Sequence, residues 1–164
     1  MNNYRQRIAD SILERRLSGS GAVLVRGPKW CGKTTTCIRH AKSVLYMADP
    51  DTHDQNIHMA KLNISSLLKG ETPRLIDEWQ EAPKFWDAIR AKVDEAQDAG
   101  QYILTGSSVP PETDKIVHSG TGRIASMKMR PMSLWESGES SGGISIGALL
   151  DGAAFEAAES QRHS

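Results

Sequence analysis

The window Gly27-Pro-Lys-Trp-Cys-Gly-Lys-Thr34 constrains this chain more than any other stretch of it. It stands between an apolar run, Ala22-Val-Leu-Val25, and the segment Thr35-Thr-Cys-Ile38. Its spacing is G-x-x-x-x-G-K-[ST], in which glycines let the backbone wrap until several N–H groups turn inward. The helix that follows adds the positive end of its dipole, so the concavity suits phosphate oxygens. The pattern assigns Gly27, Pro28, Lys29, Trp30, Cys31, Gly32, Lys33, Thr34 and Thr35 to a phosphate cradle. Lys33 is expected to reach the β- and γ-phosphates of a nucleotide, and the Thr34 hydroxyl to ligate Mg²⁺. Trp30 and Cys31 fill variable positions, where packing alone accounts for them equally well. A loop of this kind needs a buried strand before it and a helix after it.

The rest of the chain repeats that alternation. Tyr4, Ile8, Ile12, Leu13 and Leu17 recur at helical spacing, and Gly19 and Gly21 end the run. A strand over 22–26 follows, then the loop, then a helix over 33–42. A second strand (44–47) ends at Asp49-Pro50-Asp51, and Leu62, Ile64, Leu67 and Leu68 predict a helix within 51–70. A third strand (74–76) runs into Asp77-Glu78. Pro83 suits the first turn of a helix, which Phe85, Trp86, Ile89 and Val93 continue and Gly100 is expected to cap. A fourth strand (102–104) runs into Thr105-Gly-Ser-Ser108, and alternation over 124–129 predicts a fifth. Strands alternating with helices imply an α/β fold, a parallel sheet covered on both faces. Residues 137–143 are rich in Ser and Gly and read as a linker. That divides the chain into a domain over 1–136, the linker, and a helical tail over 144–164. The tail carries Ile144, Ile146, Leu149, Leu150 and Phe155, more apolar surface than a lone tail should expose.

A phosphate loop leaves the reaction open, because kinases, GTPases and ATPases share it. Leu75-Ile-Asp-Glu78 narrows the choice. An Asp at a strand end suits the Mg²⁺ shell, which gives Asp77 a metal role beside Thr34. A Glu directly after it can polarise an attacking water, which makes Glu78 the candidate catalytic base. A small-molecule kinase has no need of that second acid, since its substrate hydroxyl attacks. Thr105 is the first choice for a polar strand tip that senses the γ-phosphate or holds the lytic water, with Ser107 and Ser108 beside it. Arg123 ends the glycine-flexed Gly120-Thr-Gly segment. It can stabilise transition-state charge, in cis or on a neighbouring subunit, or serve as a structural partner of an acid.

Composition removes several other classes. Of 164 residues, 20 are Lys or Arg and 20 are Asp or Glu, so the formal net charge is zero and no broad nucleic-acid footprint is indicated. No apolar run approaches the roughly 20 residues that span a bilayer. Cys31 and Cys37 are the only cysteines and lie outside any CxxC spacing. His53 and His58 do not share a helical face, so no histidine metal site is assigned. A cytoplasmic protein with free thiols is expected.

Four stretches in this order, "VLVRGPKWCGKTTT", "RLIDEWQEAPKFWDAIRAKVDEA", "YILTGSS" and "SGTGRIASMKMRPMSLWE", resemble one family. These are the prokaryotic AAA-type ATPases of the additional-strand, catalytic-glutamate division, whose full-length members carry a C-terminal domain of unknown function. The resemblance covers about residues 4–136, and Asp77-Glu-Trp-Gln-Glu-Ala-Pro83 is its most specific part. It implies a three-layer α/β/α P-loop NTPase with a five-stranded parallel sheet in the order 5-1-4-3-2. It also implies ATP with Mg²⁺ and hydrolysis through Glu78, with a homo-oligomer or a protein partner downstream. Residues 144–164 would then open a truncated C-terminal region. The competing expectation is a nucleotide-gated interaction module with negligible hydrolysis; a P-loop small-molecule kinase stands behind it.

Overall fold

The computed structural model describes residues 4–106, 122–143 and 145–152. Ser107, Ser108, Gly120, Ile144 and Phe155, named above, lie outside the described residues. The chain divides into two units, Ile8–Pro131 and a second formed by Met1–Arg7 with Met132–Ser164.

In the larger unit the elements run α1 (Ile8–Gly19), β1 (Ala22–Arg26), α2 (Lys33–His40), β2 (Ser43–Tyr46), α3 (His53–Leu67) and β3 (Arg74–Asp77). A 3₁₀ turn (Trp79–Glu81), α4 (Phe85–Ala96), β4 (Tyr102–Gly106) and β5 (Ile124–Lys128) complete it. The strands form one parallel sheet in the order β2-β3-β4-β1-β5, the order implied by the family resemblance read from its other edge. β1 and β4 lie inside the sheet and are buried along nearly their whole length, as continuous apolar strands of a doubly covered sheet must be. β2, at the edge, is only half-buried.

Alternation along the strands sends side chains to two separate cores. Ala22, Leu24, Ile76 and Leu104 face Ala60 of α3 and Phe85, Trp86 and Ile89 of α4. Val23, Val25, Leu75 and Ile103 face Ala9, Leu13 and Leu17 of α1 and Cys37 of α2. The result is three layers, helix on sheet on helix. Phe85 is fully buried between α4 and the sheet; truncating such a residue costs about 3–5 kcal/mol.

Strand ends shift by one or two residues from the sequence expectation, and three helices differ from it in a way that has a local cause. Helix α2 stops at His40 because Ala41 is extended, with φ −98° and ψ 143°. Helix α3 is interrupted at Asn63, which leaves helical geometry at φ −153° and ψ 81°. The cap of α4 is Gln97, left-handed at φ 55°, with its N–H on the Val93 carbonyl. Gly100 lies three residues beyond and donates its N–H to the Ser20 carbonyl, so it serves the turn into β4.

In the smaller unit a short helix, α5 (Leu134–Ser137), opens with a capping box between Ser133 and Glu136. The same Glu136 carboxylate binds Arg7 Nε at 3.0 Å, both side chains being buried. Helix α6 (Ile146–Leu150) is capped by Ser145 and exposes Ile146, Leu149 and Leu150. Among the described residues no helix is long and apolar enough to cross a membrane.

Candidate functional site

All strands of a parallel sheet end on one edge, and there β1, β3 and β4 deliver their polar termini together. After β1 the backbone turns through Gly27, where an added Cβ would lie 2.3 Å from the Met129 carbonyl oxygen. That close approach admits only glycine. Gly32, at φ 91°, supplies the left-handed residue that starts α2. Between them Trp30 also adopts a positive φ of 68°. Its ring is 92% exposed, so the side chain points away from the cradle, with Lys29 Nζ 5.9 Å from its centre. Cys31 is buried in the α1–α2 core, its Sγ 3.9 Å from the Met129 carbonyl. These two positions therefore offer a phosphate their backbone and no side chain.

Lys33 bridges the loop from inside. Its Nζ donates to the Gly27 carbonyl at 3.1 Å and to the Pro28 carbonyl at 2.9 Å. One of three ammonium donors remains for an incoming oxygen. Thr34 points the other way and donates its hydroxyl to Asp77 Oδ1 at 2.8 Å. Asp77 and Thr105 are in register across β3 and β4, and the Thr105 hydroxyl donates to the same Oδ1. Loop, acid strand and neighbouring strand thus meet on one carboxylate oxygen. Thr105 is 1% exposed, and its hydroxyl is turned to Asp77 instead of outward as a γ-phosphate sensor requires.

One side of Asp77 opens into a cleft of about 340 Å³ that Tyr46, Ala48 and Asp49 also line. Beneath the loop, burial pushes the Cys37 thiol pKa far up, and the charges of Asp77 and Asp10 push it the same way. Cys37 is accordingly a neutral apolar filler and no nucleophile.

Glu78 follows Asp77 in a left-handed conformation, φ 56° and ψ 46°, and caps the 3₁₀ turn. Trp79 is buried there, with its ring centre 5.7 Å from that of Trp86. Gln80 Nε2 donates to Glu78 Oε2. Trp30, Glu78 and Gln97 are the non-glycine residues with positive φ among the described residues, and two of them stand at this edge. Strained backbone concentrates at functional sites.

Arg123 is not brought to the loop. It precedes β5, its carbonyl accepts the Ala22 N–H, and its guanidinium pairs with Asp94 of α4. That is the opposite edge of the sheet, about 17 Å of strand away from the cradle. Of the alternatives open for it in the sequence, the structure has the pairing with an acid. Asp49 and Tyr46 are site neighbours outside every motif, and Gln80 lies inside the Asp77–Pro83 run, which by itself assigns it no role. The Asp49-Pro50-Asp51 strand ending was a visible signal for the first of them.

The donor set fits Mg²⁺. Thr34 and Asp77 are hard oxygen donors at hydrogen-bond distance, and among the described residues no three His, Cys, Asp or Glu side chains converge as a protein-built cage. Mg²⁺ takes one or two protein oxygens and completes its shell with phosphates and water.

A phosphate loop followed by α2, with the acid strand β3 one strand removed from β1, defines a P-loop nucleoside triphosphatase fold. The sequence places it further: residues 19–137 match the family described as "AAA domain", and the chain belongs to that family. It is therefore a domain of P-loop ATPase type. No curated protein matches it. Among solved structures, that of C. elegans PCH-2 is similar at 17% identity and a TM-score of 0.40, over 68% of this chain and 35% of that one. This chain thus spans about a third of the length of that structure.

Proposed function

We propose that this domain binds ATP with Mg²⁺ and hydrolyses it, and that nucleotide state is passed to a protein partner or to a further C-terminal region. The observation that carries the reading is the single Asp77 oxygen receiving both Thr34 and Thr105, with Glu78 next in the chain. That arrangement supports reading Asp77 as the metal-binding carboxylate and Glu78, the next residue, as the base.

In this reading the loop amides and Lys33 hold the β- and γ-phosphates, and Thr34 and Asp77 would hold Mg²⁺, which would supply neutralisation of charge on the phosphoryl oxygens. Glu78 orients a water molecule in line with the β–γ bridge and accepts its proton as the water oxygen bonds to the γ-phosphorus. The bridge bond breaks with its electron pair on ADP, and inorganic phosphate is the other product. Base catalysis of this kind contributes about 10²–10⁴-fold.

The test is phosphate release by the purified chain with Mg²⁺ and with EDTA, alongside ATP binding by calorimetry. Mg²⁺-dependent release supports hydrolysis. ATP binding without release supports the nucleotide-gated module instead, and release unaffected by EDTA contradicts the metal role of Thr34 and Asp77.

A further inference from the structure

We infer that Gln80 is the positioning residue of this site: its side-chain amide holds one oxygen of the Glu78 carboxylate, so that the other is aimed at the water. The inference rests on the assignment of Glu78 as base in the proposed function.

Three observations converge on it. Gln80 Nε2 donates to Glu78 Oε2 across the 3₁₀ turn. The other end of the same amide, Oε1, is buried and has no hydrogen-bond partner. It lies against the end of β4, where a Cβ on Gly106 would sit 2.3 Å from it. A buried acceptor left unpaired is costly, and native structures keep such atoms where another demand outweighs the cost. Here the demand is visible. Turning the amide round would set its oxygen against the carboxylate oxygen it now donates to, so that contact dictates the orientation.

The turn that carries Gln80 is itself held. The Glu81 N–H reaches the Glu78 carbonyl at 3.1 Å, the Ala82 N–H reaches that of Trp79 at 3.1 Å, and Trp79 is 1% exposed. Only glycine leaves room for the Gln80 carbonyl at position 106. A base on a flexible stem samples many rotamers, and an amide locked from behind removes most of them.

Gln80→Leu keeps the volume and removes the amide; Gln80→Glu keeps the shape and sets like charges together. Both are expected to lower kcat by about tenfold or more while KM for ATP changes less than about twofold. Because Gln80→Leu also removes an unpaired acceptor, its Tm should equal or exceed that of the parent. In a Glu78→Gln background Gln80→Leu should cost nothing more, since the carboxylate it serves is gone.

A readout independent of turnover comes from the nucleotide-free protein. The Gln80 side-chain amide cross-peak, assigned by its loss in Gln80→Leu, should shift in Glu78→Gln. Unchanged or raised kcat in Gln80→Leu, or a cross-peak indifferent to Glu78→Gln, overturns the inference. If Glu78→Gln hydrolyses ATP at the parent rate, the base assignment itself falls, and the cross-peak still reports whether the two side chains meet. If Glu78→Gln is inactive and Gln80→Leu is not, only the positioning role is lost.

Discussion

The two edges of the sheet carry the same kinds of side chain to opposite effect. At the edge where the strands end, Asp77 receives the hydroxyls of Thr34 and Thr105, and Thr105 is almost fully buried. At the edge where they begin, Asp94 receives Arg123, with the two side chains 49% and 43% exposed. Water competes for every contact at the second site, whereas at the first Thr105 is shielded from it and Asp77 meets it only on the side that opens to the cleft. A buried hydroxyl–carboxylate contact orients its acid; an exposed ion pair contributes about 0–1 kcal/mol and orients little. Charge alone does not make a site, and desolvation with converging partners does.

The largest expected effect lies on the strand-end side. Lys33→Ala removes the cation that spans the loop and should reduce ATP affinity more than about a hundredfold by calorimetry, as loss of charge-assisted contacts to phosphate does. Near-parent affinity would show that the loop holds phosphate through its backbone alone.

Next is Thr105→Val, which deletes one of the two donors to Asp77 without changing the shape of the strand. Denaturant titration should show a loss of about 1–3 kcal/mol, the cost of leaving a buried acceptor underpaired. No loss would mean that the Asp77 network is not the rigid element that the comparison requires.

Cys37 sharpens the contrast through pH. Its thiol is held neutral in the folded state by burial first and by Asp77 and Asp10 second, so its folded pKa lies above its unfolded one. The stability this contributes is fully present below the unfolded thiol pKa, about pH 8.5, and is lost progressively above it. Unfolding free energy measured from pH 8 to 10 should therefore fall, and Cys37→Ala should flatten that slope while lowering stability throughout. An identical slope in the variant would assign the alkaline loss to other groups.

The smallest effect belongs to Arg123→Ala, with less than about 1 kcal/mol of stability lost and turnover unchanged. A collapse of turnover would mean that Arg123 acts on a neighbouring chain.

Much of this contrast was legible in the sequence, and the exceptions have physical reasons. Ala22–Arg26 runs over the residues expected from a short apolar stretch with a glycine after it. The resemblance implied the sheet order, and the order observed is the same. Arg123 could have been placed better: in an all-parallel sheet a residue that precedes its strand lies on the edge opposite every strand end. The bond from Thr105 to Asp77 depends on register between strands 28 residues apart in sequence, and no local pattern encodes register. Gln80 was unreadable for another reason. Its reach to Glu78 depends on a left-handed Glu78, a backbone state that sequence favours for glycine and not for glutamate.

If Glu78 is the base of a working phosphate site, one substitution separates binding from turnover. Glu78→Gln keeps the shape and removes the proton acceptor. ATP affinity by calorimetry and phosphate release should be measured on the same preparation, with Mg²⁺. Affinity is expected to stay within about threefold of the parent, with release reduced by at least about a hundredfold. Release at the parent rate with affinity intact would contradict the role of Glu78 as base.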